Sequence, residues 1–406
     1  MILKTDFMQK IQRALFSILV VTLISSSMLF GQEKRRGNPY APGENIYKHY
    51  TGTIGNRKVV MDLVWGYQGG SNFGGSNFYY TDTPGVYDLS ILEPPTFDHN
   101  ETLHAVVDIG ENPWTTEQYD FLNADISMDF NIVDNKLTGK YHNKTTGEEL
   151  DINLTEEYGK SLAFDMVIGS DVASISRSDG SAVNVDVFTL GITPAIKTTN
   201  ITEMDFVNKQ LLKFAQIEKI QAEYIADYYK EYRVNFISAS KIYFTRLFAA
   251  NAPINTESQE YKSNVSRMLI LRPVYNDTGF LVFKKFEDKG NGREMTFLNL
   301  DIKTYKQLQL KDIVKNNPGW MSSLLEHQFR KKYNVGSTVK LKDLLKVERL
   351  PVSQNIALTH DGIIFYYKQD DILKQKMDSD PKISVYLTYK QLKPILRKEF
   401  ADRIWP

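Results

Sequence analysis

The side chains best suited to metal or acid–base chemistry are the six histidines, His49, His99, His104, His142, His327 and His360. None falls in H-E-x-x-H or another helical ligand spacing. His99 and His104 stand five apart beside Asp98 and Asp108, which would suit a metal only with a second ligand pair, and no such pair accompanies them. Asp288-Lys289-Gly290-Asn291-Gly292-Arg293-Glu294 looks like a calcium loop. It is too short for the usual twelve-residue ligand spacing and carries Lys289 and Arg293 inside it, so it reads as a hairpin loop. There is no G-x-S-x-G elbow, no P-loop, and no S-x-x-K accompanied by S-D-N and K-T-G. Cysteine is absent, which removes disulfides, thiolate metal sites, iron–sulfur clusters and thiol nucleophiles. The expectation is no catalytic residue, no metal and no cofactor. A glycosidase carboxylate pair is defined by separation in space, so a glycan hydrolase stands as an alternative.

Four aromatics remain as candidate ligand contacts. Gly69-Gly70-Ser71-Asn72-Phe73 is repeated as Gly74-Gly75-Ser76-Asn77-Phe78. A phosphate cradle would need a helix after the glycines, and Asp82-Thr83-Pro84-Gly85 is a turn instead. The repeat reads as a lengthened flexible hairpin loop, or as a mobile finger presenting Phe73 and Phe78 to a glycan or protein. Tyr79 follows directly, and Tyr366 lies in the apolar run Ile363–Tyr367.

The elements that must position these residues are mostly strands. Ile126, Met128, Phe130 and Ile132 alternate with Asp125, Ser127, Asp129 and Asn131, as in a half-buried antiparallel strand. Leu137 and Tyr141, then Leu150, Ile152 and Leu154, extend this to a three-strand meander. Lys58–Tyr67 is a further strand candidate, apolar on both faces, and Ala182–Val187 alternates as another. Thr202 is placed to cap a long helix whose apolar stripe runs from Val207 through Leu211 to Tyr224, Tyr228 and Tyr232, a stripe read as core. Strands Met268–Val274, Phe280–Phe286 and Met295–Leu300 follow. Asn317-Pro318 opens a second helix, with Asn as cap and Pro in its first turn. Leu341–Lys346 is a third helix candidate. Asp361-Gly362 between apolar runs signals a hairpin, Ile383–Leu387 is a strand, and a last helix begins near Pro394.

The N-terminus reads as an address. Lys4, Lys10 and Arg13 precede an apolar run from Ala14 to Val21, then Ser25-Ser26-Ser27 and a small residue at Gly31. Serines interrupt the uncharged stretch, whereas an anchor needs about 20 mainly apolar residues. Cleavage after Gly31 is therefore expected, leaving no membrane span, and without cysteine there is no lipid anchor. The chain is then periplasmic or extracellular. Lysines plus arginines equal aspartates plus glutamates at 49 each, which gives nucleic-acid binding no support. An exported chain without disulfides must rely on packed cores, and hydrophobic residues at 42 % allow this.

The order Leu308-Gln309-Leu310-Lys311-Asp312-Ile313, the helix from Trp320 to Phe329, Asn355–Thr359, His360–Tyr367 and Ile383–Leu387 with Tyr389 resembles the C-terminal extracytoplasmic module of the RsiV family of lysozyme-responsive anti-sigma factors. Similar modules accompany some peptidoglycan deacetylases. The segment from about residue 160 resembles the partner module that usually precedes it. The resemblance implies a lysozyme-like protein or peptidoglycan as ligand; no binding residue is carried over. Neither a sigma-binding region nor a deacetylase domain accompanies the modules in this sequence.

Together these readings give an α+β protein. A signal peptide (1–31) is followed by a β-rich antiparallel N-terminal domain (32–157), a partner α+β module (158–301) and an RsiV-like C-terminal module (302–406) with antiparallel sheet and packed helices. The expected role is non-catalytic binding at the bacterial cell envelope, with a glycan hydrolase or a structural surface protein as alternatives.

Overall fold

The computed structural model describes residues 46–68, 71–74, 76–91, 102–108, 125–175, 185–197, 200–215, 265–288, 293–375 and 382–405. The first nine strands are β1 (Ile46–Ile54), β2 (Arg57–Gln68), β3 (Ser71–Gly74), β4 (Ser76–Tyr80), β5 (Tyr87–Ile91), β6 (Leu103–Asp108), β7 (Ile126–Val133), β8 (Lys136–Asn143) and β9 (Glu148–Glu156). They form one sheet in the order β1-β9-β8-β7-β6-β5-β4-β2-β3, and β1 also pairs with β2, which closes it into a barrel. β3 and β4 share one register along β2, with Gln68 opposite Ser71 and Asp62 opposite Asn77. They therefore act as one interrupted stave, and the ring has eight. Where the ladder breaks, the Ser76 hydroxyl takes its place: it accepts from the Val64 N–H (3.0 Å) and donates to the Val64 carbonyl (3.2 Å).

This corrects the reading of the Gly-Ser-Asn-Phe repeat as a lengthened flexible loop. Ser71–Gly74 and Ser76–Phe78 lie in strands, because β2 is long enough to template both as one returning stave.

Period-two alternation sends Tyr50, Ile54, Met61, Leu63, Phe78, Phe130, Leu137, Ile152 and Leu154 into the barrel, where all are buried. Eight staves leave room for side chains to fill the interior. Gly139 lets β7 and β8 press together there, since a Cβ at that position would sit 1.9 Å from the Asp129 carbonyl. The opposite face of β7–β9 carries Asp129, Lys140 and Asp151 in a partly or fully exposed setting. A lipid-facing barrel has the inverse pattern. No helix among the described residues is long and apolar enough to cross a membrane.

A second sheet runs β10 (Ala163–Ile175), β11 (Val185–Lys197), β12 (Val265–Asp277), β13 (Phe280–Asp288), β14 (Arg293–Asp301) and β15 (Lys306–Leu308) in sequence order. All pairs are antiparallel except β11–β12, which is parallel and so needs a crossover connection. Helix α1 (Ile201–Ala215) lies in that connection. Its cap is Asn200, whose side-chain oxygen accepts from the N–H groups of Thr202 (3.1 Å) and Glu203 (3.3 Å). Thr202, expected to cap, already lies inside the first turn. Val207 and Leu211 pack on Phe164, Phe283, Leu298 and Leu300 of the sheet. The predicted continuation through Tyr224, Tyr228 and Tyr232 and the loop 289–292 lie outside the described residues.

The rest of the chain forms α2 (Leu310–Ile313), α3 (Pro318–Lys332), α4 (Leu341–Leu344), β16 (Ile356–Leu358), β17 (Gly362–Lys368), α5 (Gln369–Ile372), β18 (Lys382–Thr388), α6 (Tyr389–Leu392) and α7 (Lys398–Ile404). β16, β17 and β18 make a three-stranded antiparallel sheet. α3 begins as predicted, with the Asn317 side chain accepting from the Trp320 N–H and Pro318 in the first turn, and buries Met321, Leu325 and Phe329. The β16–β17 hairpin forms, but Leu358 pairs with Ile363, so the connection is four residues long. Gly362 serves close approach there: a Cβ would lie 2.4 Å from the Leu387 carbonyl. The helix expected to start near Pro394 is two pieces. α6 ends before Pro394, and α7 starts four residues after it, since a proline ring would clash with a continuing α6.

Two asparagines join the second and third sheets. Asn299 donates to the Ile356 carbonyl (2.8 Å) and accepts from the Leu358 N–H (2.9 Å). Asn355 reciprocates, donating to the Met295 carbonyl (2.8 Å) and accepting from the Phe297 N–H (3.1 Å). The architecture is α+β, with a closed antiparallel barrel leading and packed helices concentrated on the last sheet.

Candidate functional site

Two polar constellations stand out, one buried and one open. The buried one lies on the outer face of the barrel, where His49, Asp62, Asn77 and Asp88 are direct cross-strand partners over β1, β2, β4 and β5. Asp62 accepts from the Tyr47 hydroxyl (2.7 Å) and from His49 Nδ1 (2.8 Å). Asn276, at the end of β12, donates to the Tyr47 oxygen and to the Leu162 carbonyl, both at 2.7 Å. Arg272 and Lys284 approach Asp88 at 3.5 and 4.0 Å. Burial alone would lower the His49 pKa, but its bond to Asp62 and that carboxylate's charge outweigh it and raise the value above 6.5. Further along, Tyr79 stacks on His360 (4.4 Å between ring centres), and His360 Nε2 lies 3.1 Å from the Thr83 carbonyl. Burial holds the His360 pKa below 6.5, against the charge of Asp361. With most of its side chains buried between elements and Asp88 partly exposed, this seam is suited to fixing the barrel against the other two sheets.

The open constellation is a cleft of about 270 Å³ in the C-terminal part. Its first wall is α2 with the segment after it. Lys315 donates its N–H to the Ile395 carbonyl (2.7 Å), and Arg397 donates its N–H to the Ile313 carbonyl (2.8 Å), which ties two distant stretches side by side. The Arg397 Nε also donates to the Lys311 carbonyl (2.6 Å), fixing the guanidinium at the rim. The second wall is the first turn of α3, with Asn317, Pro318 and Met321, completed by Val352 and Gln354. Leu310, Val314 and Met321 are buried and form an apolar floor, while Lys311, Lys315 and Arg397 are exposed. No acidic residue occupies the first turn of α3, so its positive end stands uncompensated at this wall. The lining contains no Asp, Glu or His. Such a lining has the charge to attract an anion and the floor to pack an apolar body, and it holds no carboxylate or imidazole to pass a proton.

The structure disperses the aromatics proposed from sequence. Phe73 lies on β3 opposite Gly66, and its side chain is outside the described residues. Phe78 points into the barrel, 1 % exposed and stacked on Tyr87, so it is no outward finger. Tyr79 is 2 % exposed in the seam. Tyr366 is half-buried and stacked on Phe297 (4.3 Å). None of the described three lines the cleft. Of the histidine pair, His99 lies outside the described residues. His104 Nδ1 instead meets Asp129 (2.7 Å), which His142 also approaches (3.5 Å). Among the described residues no group of three or more His, Asp or Glu is arranged to hold a metal ion. Sequence reasoning missed Lys311, Lys315 and Arg397. The four-residue spacing of the two lysines before Asn317-Pro318 was the one local signal, and Arg397 arrives from a remote segment.

Barrel, mixed sheet and cleft define an α+β protein with an open, basic, apolar-floored cleft in its C-terminal part. The chain matches no family model and no curated protein. Among solved structures it is similar to a member of the DUF3298 family from Bacteroides fragilis, at 19 % identity over 61 % of this chain and 99 % of that one, with a TM-score of 0.46. It is also similar to a DUF3298 family protein from Pseudomonas aeruginosa, at 12 % identity over 59 % of this chain and 96 % of that one, with a TM-score of 0.39.

Proposed function

We propose that this is an exported bacterial cell-envelope protein, not lipid-anchored, that binds its ligand without turning it over, through the C-terminal cleft. The observation that carries the reading is the lining itself: three cations over an apolar floor, with no Asp, Glu or His among the lining residues. The leader read at residues 1–31 supports export, and the resemblance of the last two segments to RsiV-like modules supports peptidoglycan or a lysozyme-like protein as ligand. Of these, the charge of the cleft favours peptidoglycan, whose peptide stems carry carboxylates. The segments 32–157, 158–301 and 302–406 serve as its modules.

The test is retention on purified peptidoglycan and on immobilised lysozyme, run beside a turnover assay on the same glycan. Retention on peptidoglycan with the glycan recovered intact supports the reading. Passage through both matrices refutes it. Glycan release that is abolished by a single Asp or Glu substitution replaces it with the hydrolase alternative.

A further inference from the structure

The cleft presents two kinds of polar partner. Lys311, Lys315 and Arg397 supply positive charge, and the amides of Asn316 and Gln354 supply both donors and acceptors beside them. A phosphate or sulfate satisfies the cations but offers little to the amide oxygens, because it donates few hydrogen bonds. A peptide end offers a carboxylate for the cations, backbone N–H and C=O groups for the amides, and a short apolar side chain for the floor at Met321. Arg397, held in place through Nε, has the fork geometry that suits a carboxylate.

We infer that the group received here is the terminal carboxylate of a peptide with small apolar side chains. This rests on the reading of the cleft as the binding site. The peptide enters carboxylate first, its end against Arg397 and the two lysines, its last side chain over Met321. The uncompensated positive end of α3 adds to the same field.

The experiment is an NMR titration of the intact protein with N-acetyl-alanyl-alanine, its C-terminal amide and inorganic phosphate in parallel. The acid should shift the backbone signals of Lys311, Lys315 and Arg397, and the amide should bind about tenfold more weakly, the scale of one charge-assisted contact. Lys315→Gln and Lys311→Gln, both at exposed positions, should each weaken the acid without moving the urea midpoint, and raised salt should do the same. Equal binding of acid and amide overturns the carboxylate assignment and leaves retention on peptidoglycan as it was. Phosphate that binds as tightly as the acid overturns it in favour of a phosphate ligand. Failure of all three probes together with loss of retention overturns the reading of the cleft as well.

Discussion

Replacing Asn276 by leucine tests whether the barrel is braced to the second sheet by hydrogen bonds. The side chain is 1 % exposed. It makes three bonds: to the Tyr47 oxygen and the Leu162 carbonyl at 2.7 Å, and from the Leu162 N–H at 2.9 Å. Leucine keeps the branching and removes all three. Tyr47 retains its bond to Asp62, so the main cost falls on the two Leu162 backbone groups. An orphaned buried group costs about 1–3 kcal/mol. Leu162 is only half-buried, which puts each near the low end, and the added apolar surface returns at most about 1 kcal/mol. The net expectation is a loss of about 1–2 kcal/mol, read as a lower urea midpoint at unchanged slope. Tyr47→Phe in a double-mutant cycle should show coupling of at least about 0.5 kcal/mol, as expected for groups in contact. A loss well below 1 kcal/mol with no coupling would refute the argument, because the junction would then be held by its other contacts, chiefly the apolar cluster of Tyr47, Val64, Phe164 and Phe283.

The two seam histidines should titrate in opposite directions. His360, held below 6.5 by burial, contributes stability that is present above about pH 6.5 and lost as pH falls through its folded value. His49, raised by Asp62 despite its burial, contributes stability that is present below about pH 6.5 and lost as pH rises through its folded value. Imidazole proton shifts against pH check both, and two ordinary midpoints would refute both. Gly139→Ala should cost at least about 2 kcal/mol in urea unfolding, because its Cβ meets backbone that cannot move cheaply. Gly319→Ala, with open space in the first turn of α3, should be neutral or stabilising by up to about 1 kcal/mol. Deleting Gly69–Asn77 removes β3 and the start of the stave that closes against β2. The product should be insoluble or destabilised by more than about 3 kcal/mol, well beyond a surface change, and an unchanged midpoint would show that closure is dispensable.

What the sequence disclosed follows from how each signal is encoded. The meander β7–β9 was readable because one face is wet, so apolar and polar residues alternate through Ile126–Val133 and Glu148–Glu156. β4 gave no such alternation, since Ser76 through Tyr80 are all buried, inward against the barrel core and outward against the seam. Its small polar start, Ser76-Asn77 directly after Gly74-Gly75, then looked like a loop. The sequence also holds no local trace of closure, because the bonds between β1 and β9 join Tyr50–Ile54 to Ile152–Glu156, a hundred residues apart. The cleft was hidden for the same reason. Each of its lysines alone is an ordinary exposed cation, and the basic cluster forms only when Val314 pairs with Leu396 and carries Arg397 alongside. α3 was legible because its cap, Asn317-Pro318, is local, yet that cap also sets where the second wall of the cleft begins. The most readable helix start in the chain therefore borders the least readable site. A substitution that shifts the α3 start should change ligand binding before it changes stability.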